Sequence, residues 1–314
     1  MFYFIVNKHG GSGIAALTWD LIEDWLKKNL KLDVDYKIFE SENRGHATEL
    51  AEKISNIDEI QDSDKKIVIV GGDGTINEVL NGIKNFDKIK FGIIPTGSAN
   101  DFARGLDIKK NEPIKNLEKI VNSNNVSRAV DLGFARFEDD YSRYFAISSG
   151  VGMDALVCKK ANTTKVKPVL NKFHLGRFAY IILTISSLFS MKCRDVQIKF
   201  DEEEPVVYKN LIFCAAMNTC AEGGGVKMAP DAKYDDGELS ALFVRNIPKF
   251  LAFLLFPFLI LGKHTKFKGF KIKNFKKMEL VSNEPLVSHT DGEWSGDVKK
   301  VSMECLKQKL KLLN

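Results

Sequence analysis

Ile67-Val68-Ile69-Val70 is an unbroken β-branched run that stops at Gly71-Gly72-Asp73-Gly74-Thr75. A helical pattern follows at once, with apolar side chains at Ile76, Val79, Leu80 and Ile83. Such a run suits a strand covered on both faces, as in a parallel sheet. The spacing after the turn suits a helix with one buried face. A strand, a glycine turn and a helix N-terminus in succession form an anion site, because glycines let backbone N–H groups approach a phosphate and the helix dipole favours its charge. Asp73 adds a carboxylate beside those phosphates, an arrangement that makes sense when a cation bridges them. The stretch therefore predicts a nucleotide site with Mg²⁺.

The same alternation fills the first third of the chain. Phe2–Val6 reads as a strand, followed by a glycine turn and a helix with Leu17, Leu21, Ile22, Trp25 and Leu26 on one face. Val34–Phe39 reads as a second strand, Thr48–Ile54 as a helix after Gly45, and Phe91–Ile94 as the strand after the Thr75–Ile83 helix. This β-α-β-α order predicts a parallel sheet with helices on its faces. Ligands of such sheets bind at the carboxyl ends of the strands, where each glycine-rich turn here falls.

From Val130-Asp131-Leu132-Gly133 onward strands predominate: Tyr144–Ser149, Val196–Phe200, Val206–Ala215, Leu239–Val244, Phe270–Phe275, Met278–Val281 and Val298–Cys305, with one helix over Leu175–Phe189. The expected fold is α/β plus β, an N-terminal parallel-sheet nucleotide-binding domain and a C-terminal antiparallel β-sandwich-like domain. The first spans residues 1–131, and the second follows from residue 132. A chain of 314 residues has ample length for both.

Composition bounds the function classes. Net charge is +5, too small to argue for nucleic acid. The five cysteines show no C-x-x-C spacing and read as buried thiols in a reducing cytosol. Met1–Val6 lacks the charged flank of a signal peptide. The longest apolar run, Phe250–Leu261, contains Pro257 and falls short of the roughly 20 residues of a membrane span. A cytoplasmic protein, at most peripheral at the inner membrane surface, is expected.

Four blocks carry a family resemblance. Gly71–Thr75 resembles the GGDGT signature of the diacylglycerol kinase catalytic domain, shared with sphingosine and ceramide kinases and, more distantly, NAD kinases. Ile94-Pro95-Thr96-Gly97-Ser98-Ala99-Asn100-Asp101-Phe102-Ala103 is similar to its second segment, Ala229–Gly237 to its third, and Asp291-Gly292-Glu293 to its fourth. They occur in the family's order over nearly the whole chain, and the resemblance implies that a segment of about 303–314 returns to the first domain while residues 132–302 form the domain that takes the lipid substrate. The resemblance implies an ATP- and Mg²⁺-dependent lipid kinase that phosphorylates a lipid alcohol, with diacylglycerol converted to phosphatidic acid. It places Asn7 and the backbone of Gly10, Gly11, Ser12 and Gly13 against ATP. Ser41, where similar proteins carry Thr, reaches the nucleotide, as do Gly71, Gly72, Asp73, Gly74, Thr75 and Thr96, with Asn77 and Glu78 in support or on a plain helix surface. It also implies a structural Mg²⁺ held by Asp231 with the carbonyls of Met228 and Lys233, for which an acidic surface loop is the plainer reading. Asp291 or Glu293 is the base that accepts the hydroxyl proton, and in a strand the two share a face. An exposed Asp-Gly turn is the competing reading.

Other readings stay open on the residues alone. Gly11-Ser12-Gly13-Ile14-Ala15-Ala16 after a strand fits the dinucleotide fingerprint, with Glu40 where a ribose-binding acid belongs, so an NAD-dependent oxidoreductase is a rival that leaves the other blocks unexplained. An NAD kinase-like enzyme and a non-catalytic nucleotide- and lipid-binding regulator are the other two. Asp101 joins Asp73 and Asp131 in an acidic set offset by Mg²⁺ or Arg104, or it caps a short Phe102–Leu106 helix. Between Asn246 and Met278 eight lysines and seven phenylalanines occur without an acid. That suits an anionic membrane, or a buried helix followed by a strand with a lysine face; no motif supports nucleic acid. A homodimer is compatible with all of this.

Overall fold

The computed structural model describes residues 1–57, 65–123, 125–138, 140–163 and 176–314. The chain forms two compact units: Met1–Leu132 with Tyr234–Asp236 and Leu306–Asn314, and Gly133–Lys233 with Gly237–Cys305.

In the first unit β1 (Phe2–Val6), α1 (Ile14–Asn29), β2 (Tyr36–Glu40), α2 (His46–Ser55), β3 (Lys65–Gly71), α3 (Asp73–Gly82) and β4 (Ile89–Pro95) alternate, followed by α4 (Asp101–Gly105) and α5 (Pro113–Asn122). β1 pairs in parallel with β2 and β3, and β3 with β4, giving the order β2-β1-β3-β4. Phe4, Val68, Val70 and Ile94 of these strands pack with Trp19, Ile22 and Leu26 of α1 and with Leu117 and Ile120 of α5. Trp19, Ile22 and Leu26 repeat at helical spacing and define the buried face of α1. Leu17 and Leu21, expected on that face, are exposed, because the buried stripe is centred on Trp19. The last residues complete this sheet: Leu312 aligns with Phe91, and the Asn314 side chain pairs with both the N–H and the carbonyl of Ile93.

The second unit contains part of β5 (Arg128–Phe137), then β6 (Ser142–Phe145), β7 (Ser148–Gly152), α6 (Met153–Thr163), α7 (Gly176–Ser190), β8 (Arg194–Phe200), β9 (Val206–Met217), β10 (Leu239–Arg245), α8 (Lys249–Ile260), β11 (Phe270–Phe275), β12 (Lys277–Thr290) and the start of β13 (Glu293–Leu312). The pairs β10–β11, β9–β10, β7–β9, β7–β12, β8–β9, β8–β12 and β12–β13 are all antiparallel. Besides β13, against which its register breaks between Val281 and Leu286, β12 serves two neighbours, β8 through Met278–Ser282 and β7 through Ser288–Thr290. Its buried residues alternate, Met278, Leu280, Ser282, Leu286 and Ser288, as a strand with one covered face requires. Met278 and Leu280 join Phe200, Phe243 and Phe275 in one core, and a second core lies under α7 and α8.

Three expectations change here. The single strand expected over Tyr144–Ser149 is two, β6 and β7, separated by Ala146-Ile147. α6 was not expected at all; its hydrophobic periodicity is weak, since its buried face carries Asp154 and the small Ala155 and Ala161 beside Met153 and Val157. The Leu175–Phe189 helix is α7, and Leu175 lies outside the described residues. α8 is not the buried helix of the plainer reading: Leu255 and Leu259 are buried, but Phe250 is 64% exposed and Leu254 51%. No helix among the described residues is long and apolar enough to cross a membrane.

Candidate active site

Three turns in the first unit meet through glycine. Thr96 N–H bonds the Gly71 carbonyl (2.9 Å) and Asn7 N–H the Val70 carbonyl (2.9 Å), which aligns the ends of β1, β3 and β4. A Cβ on Gly72 would lie 2.8 Å from the Gly97 Cα, and one on Gly11 2.4 Å from the Thr96 carbonyl oxygen. Only glycine permits backbones this close, and Gly11 also takes φ +63°. Asn7 Nδ2 donates to Thr75 Oγ1 (3.0 Å) and its Oδ1 accepts the His9 N–H (3.0 Å), so Asn7 ties the first turn to the start of α3. Gly10 precedes the single 3₁₀ turn Gly11–Gly13. The Ser12 side chain lies outside the described residues. The result is a shallow cradle of backbone amides backed by the α3 N-terminus, with Gly74 exposed beside it.

Thr96 is buried, and among the described residues its Oγ1 has no hydrogen-bond partner; neither has Asn100 Oδ1. Unpaired buried polar atoms cost about 1–3 kcal/mol each, so atoms left this way beside a glycine cradle fit a polar group that enters it. Lys110 Nζ reaches the Gly97 carbonyl (2.6 Å) and brings a cation to the same turn. Ser41 is buried after β2, its N–H on the Val6 carbonyl (2.8 Å). Glu78 accepts the Ala47 N–H (3.3 Å) at the start of α2 and so joins α2 to α3, while Asn77 is fully buried in α3.

Asp73 is half-buried at the first position of α3. Its two oxygens accept the N–H groups of Asp101 (2.9 Å) and Phe102 (3.2 Å) at the start of α4. Asp101 is buried and pairs with Arg104, which also bonds the Ala99 carbonyl (2.7 Å). The helix cap is Asn100 in the left-handed region, one residue earlier than expected. Asp131 is fully buried and accepts the Gln308 N–H (2.6 Å).

In the second unit Asp291 and Gly292 form a two-residue hairpin turn between β12 and β13, with φ of +47° and +81°. The two acids therefore do not share a strand face. Asp291 Oδ2 accepts the Ala146 N–H (2.8 Å), and Oδ1 those of Ile147 (2.8 Å) and Ser148 (3.0 Å). Its carboxylate anchors the β6–β7 bend. Glu293 opens β13 half-buried and accepts Asn162 Nδ2 from α6 (3.2 Å). Asp154, Cys158 and Asn162 recur every four residues along α6 and so share one stripe. Asp154 Oδ2 meets His289 Nε2 at 3.1 Å, and Glu222 bonds the Ser148 hydroxyl. Gly150 makes room for the Asp154–His289 pair, since a Cβ there would lie 2.5 Å from Asp154 Oδ2. Burial alone would push the His289 imidazole down, but the bond to Asp154 and the charges of Asp154, Glu222 and Asp291 outweigh it and raise it to about 8. Burial, with the charges of Glu222, Asp154 and Glu293, pushes the Cys158 thiol well up. Ligand atoms of Asp154, Glu222 and His289 lie within 4.8 Å of one another. Each already has a protein partner, which accounts for the cluster without an ion.

Met228 is buried, while Asp231 and Lys233 are exposed on the following turn, closed by Ala232 N–H on the Ala229 carbonyl (3.0 Å).

Residues 1–135 match the family model described as diacylglycerol kinase catalytic domain, and residues 147–314 match the YegS C-terminal NAD kinase beta sandwich-like domain. The chain belongs to the diacylglycerol kinase family. It is 31% identical to a Bacillus subtilis (strain 168) protein named "Putative lipid kinase YtlR", over 94% of this chain and 93% of that one. It is 30% identical to a diacylglycerol kinase of Staphylococcus aureus (strain JH9), over 88% of this chain and 81% of the relative. A solved structure from Bacillus anthracis str. Sterne, described as a putative diacylglycerol kinase, superposes with a TM-score of 0.73 at 21% identity, covering 99% and 96% of the two chains. In family terms, the GGDGT block is the turn that carries Asp73, and the fourth block is the β12–β13 turn. Sequence reasoning missed Asn162, Asp154 and Lys110, which lie outside any motif, and it left His289 without a role.

Proposed function

We propose that the protein is an ATP- and Mg²⁺-dependent lipid kinase, peripheral at the cytoplasmic face of the membrane, whose acceptor is the hydroxyl of a lipid alcohol, diacylglycerol first among them. One observation favours a lipid over a soluble acceptor: a cavity in the second unit lined by Met153, Ile185, Leu188, Phe213, Phe256 and Leu259, with Thr184 the one polar side chain among the described lining residues. An apolar pocket of this kind suits an acyl chain and offers nothing to a dinucleotide.

The glycine cradle, Thr96 Oγ1 and Lys110 bind and orient the phosphates of ATP. Asp73, at the first position of α3 beside the glycine turns, is the residue to hold Mg²⁺, with Asp101 behind it. The ion, when bound, neutralises charge on the transferred phosphoryl group. Glu293 accepts the proton of the acceptor hydroxyl as its oxygen bonds to the γ-phosphorus. The γ-phosphorus–oxygen bond to the β-phosphate breaks with its electron pair, leaving ADP and, from diacylglycerol, phosphatidic acid. Asp291, committed to three backbone N–H groups, holds the turn that presents Glu293. Asp231 with the carbonyls of Met228 and Lys233 offers hard oxygen ligands for a separate structural Mg²⁺.

The test is transfer of labelled γ-phosphate, with Mg²⁺, to mixed micelles carrying a panel of lipid alcohols, with Asp73→Asn alongside. Labelled lipid from the wild type and not from the variant is expected. Labelled NAD in a soluble reaction, with no lipid product, would instead make the protein a dinucleotide kinase. Bound ATP with silence in both would make it a regulator.

A further inference from the structure

α8 has two unlike faces. Leu255 and Leu259 are buried, and Phe256 lines the cavity beneath. Around the other side Phe250 (64% exposed), Leu254 (51%), Phe258 (39%) and, just past the helix end, Leu261 (59%) follow one another at helical spacing. Leu251 is exposed beside them, and on the neighbouring α7 so is Phe189, whose ring lies 6.4 Å from that of Phe253. Large apolar side chains gathered in this way are not the scattered exposure of an ordinary surface. Charge supplies the second observation. From Asn246 to Lys277 the chain has no acid, and Lys263, Lys266, Lys268 and Lys271 are exposed after the helix. None of the four forms an ion pair among the described residues.

We infer that the outer face of α8 is a membrane-docking surface: Phe250, Leu254, Phe258 and Leu261 enter the acyl boundary of a bilayer while Lys263, Lys266, Lys268 and Lys271 hold its anionic headgroups. A helix with apolar residues on one side and cations at its margin lies in the interface plane. A second copy of the chain is the poorer occupant, since a two-fold interface would bring two sets of four unpaired lysines together. The inference rests on the lipid kinase reading for its purpose, delivering the enzyme to an acceptor that stays in the bilayer. The docking itself needs no turnover.

The experiment uses the full chain without ATP and follows sedimentation with phosphatidylcholine vesicles, with and without phosphatidylglycerol. Wild type is expected to bind the phosphatidylglycerol vesicles. The triple variant Phe250→Ser, Leu254→Ser, Phe258→Ser should bind them about tenfold more weakly or less. Replacing the four lysines by Gln should remove the preference for phosphatidylglycerol, by about fivefold per lysine. All these side chains are at the surface, so circular dichroism should match wild type. Both variants should turn over a dispersed short-chain diacylglycerol at the wild-type rate and a vesicle-borne one more slowly. Wild type that ignores the anionic vesicles, or a triple variant that binds them equally, overturns the inference. So does a dimer on gel filtration that the triple variant abolishes, because the face is then a self-interface. Binding without any kinase turnover sinks the lipid kinase reading and leaves the docking surface standing; turnover of the dispersed lipid without vesicle binding does the reverse.

Discussion

Replacing each acid of the β12–β13 turn separates two roles that sequence alone could not part. In Asp291→Asn one carbonyl oxygen remains where the carboxylate had two. If it occupies the Oδ1 position it keeps Ile147 and Ser148 N–H, and the amide NH₂ then faces the Ala146 N–H, donor against donor. A lost hydrogen bond to a charged group costs about 1.5–3 kcal/mol, and the two survivors weaken as the charge goes. The backbone contributes nothing, since Asn tolerates φ +47° as well as Asp does. The expected loss is about 2–3 kcal/mol, or about 5–10 °C in Tm for a unit of this size. Glu293→Gln keeps an oxygen for Asn162 at a half-exposed site, so its stability should stay within about 0.5 kcal/mol of wild type. Its turnover should fall about 10²–10⁴-fold at largely unchanged ATP affinity, because the base acts in the transition state. Calorimetry and γ-phosphate transfer on both variants, run below the lower Tm, decide it. An Asp291→Asn protein that melts with wild type refutes the anchoring argument. A Glu293→Gln protein that turns over normally refutes the assignment of the base.

Thr96→Val keeps shape and removes a hydroxyl with no partner among the described residues; it should raise stability by about 1 kcal/mol while ATP affinity falls, read by thermal melts and by titration calorimetry. Gly72→Ala puts a Cβ 2.8 Å from the Gly97 Cα, so a loss of about 1–3 kcal/mol together with ATP binding is expected in the same two assays. His289, raised from 6.5 to about 8, binds its proton more tightly when folded. It therefore adds about 2 kcal/mol that is fully present below pH 6.5 and is lost as pH rises through 8. Melting curves from about pH 6 to about pH 9 should show a decline in wild type that Asp154→Asn lacks; parallel curves would count against the pair.

Local order was legible where it is written in neighbouring residues. The β-branched run to Val70, the glycines after it and the 3.6-residue repeat of Ile76, Val79 and Leu80 specify strand, turn and helix within a few bonds of one another, so Asp73 could be placed at a helix start by reading along the chain. The Asp-Gly pair announced a turn for the same reason. What a turn is for is not local. That Asp291 spends its oxygens on Ala146, Ile147 and Ser148, leaving Glu293 to Asn162, depends on partners more than 130 residues away in sequence, and no periodicity records such a contact. α6 escaped notice because its buried face mixes Asp154 with the small Ala155 and Ala161, which blurs the apolar repeat that marks other helices. The buried face of α1 was legible in Ile22, Trp25 and Leu26, but Leu17 and Leu21 are as apolar as these, and only the fit of Trp19 against the sheet excludes them from it. The composition of α8 likewise reads as a core helix. Tertiary structure alone decides that one side of it faces outward, because burial depends on what packs against a face, and a sequence lists the face without its cover.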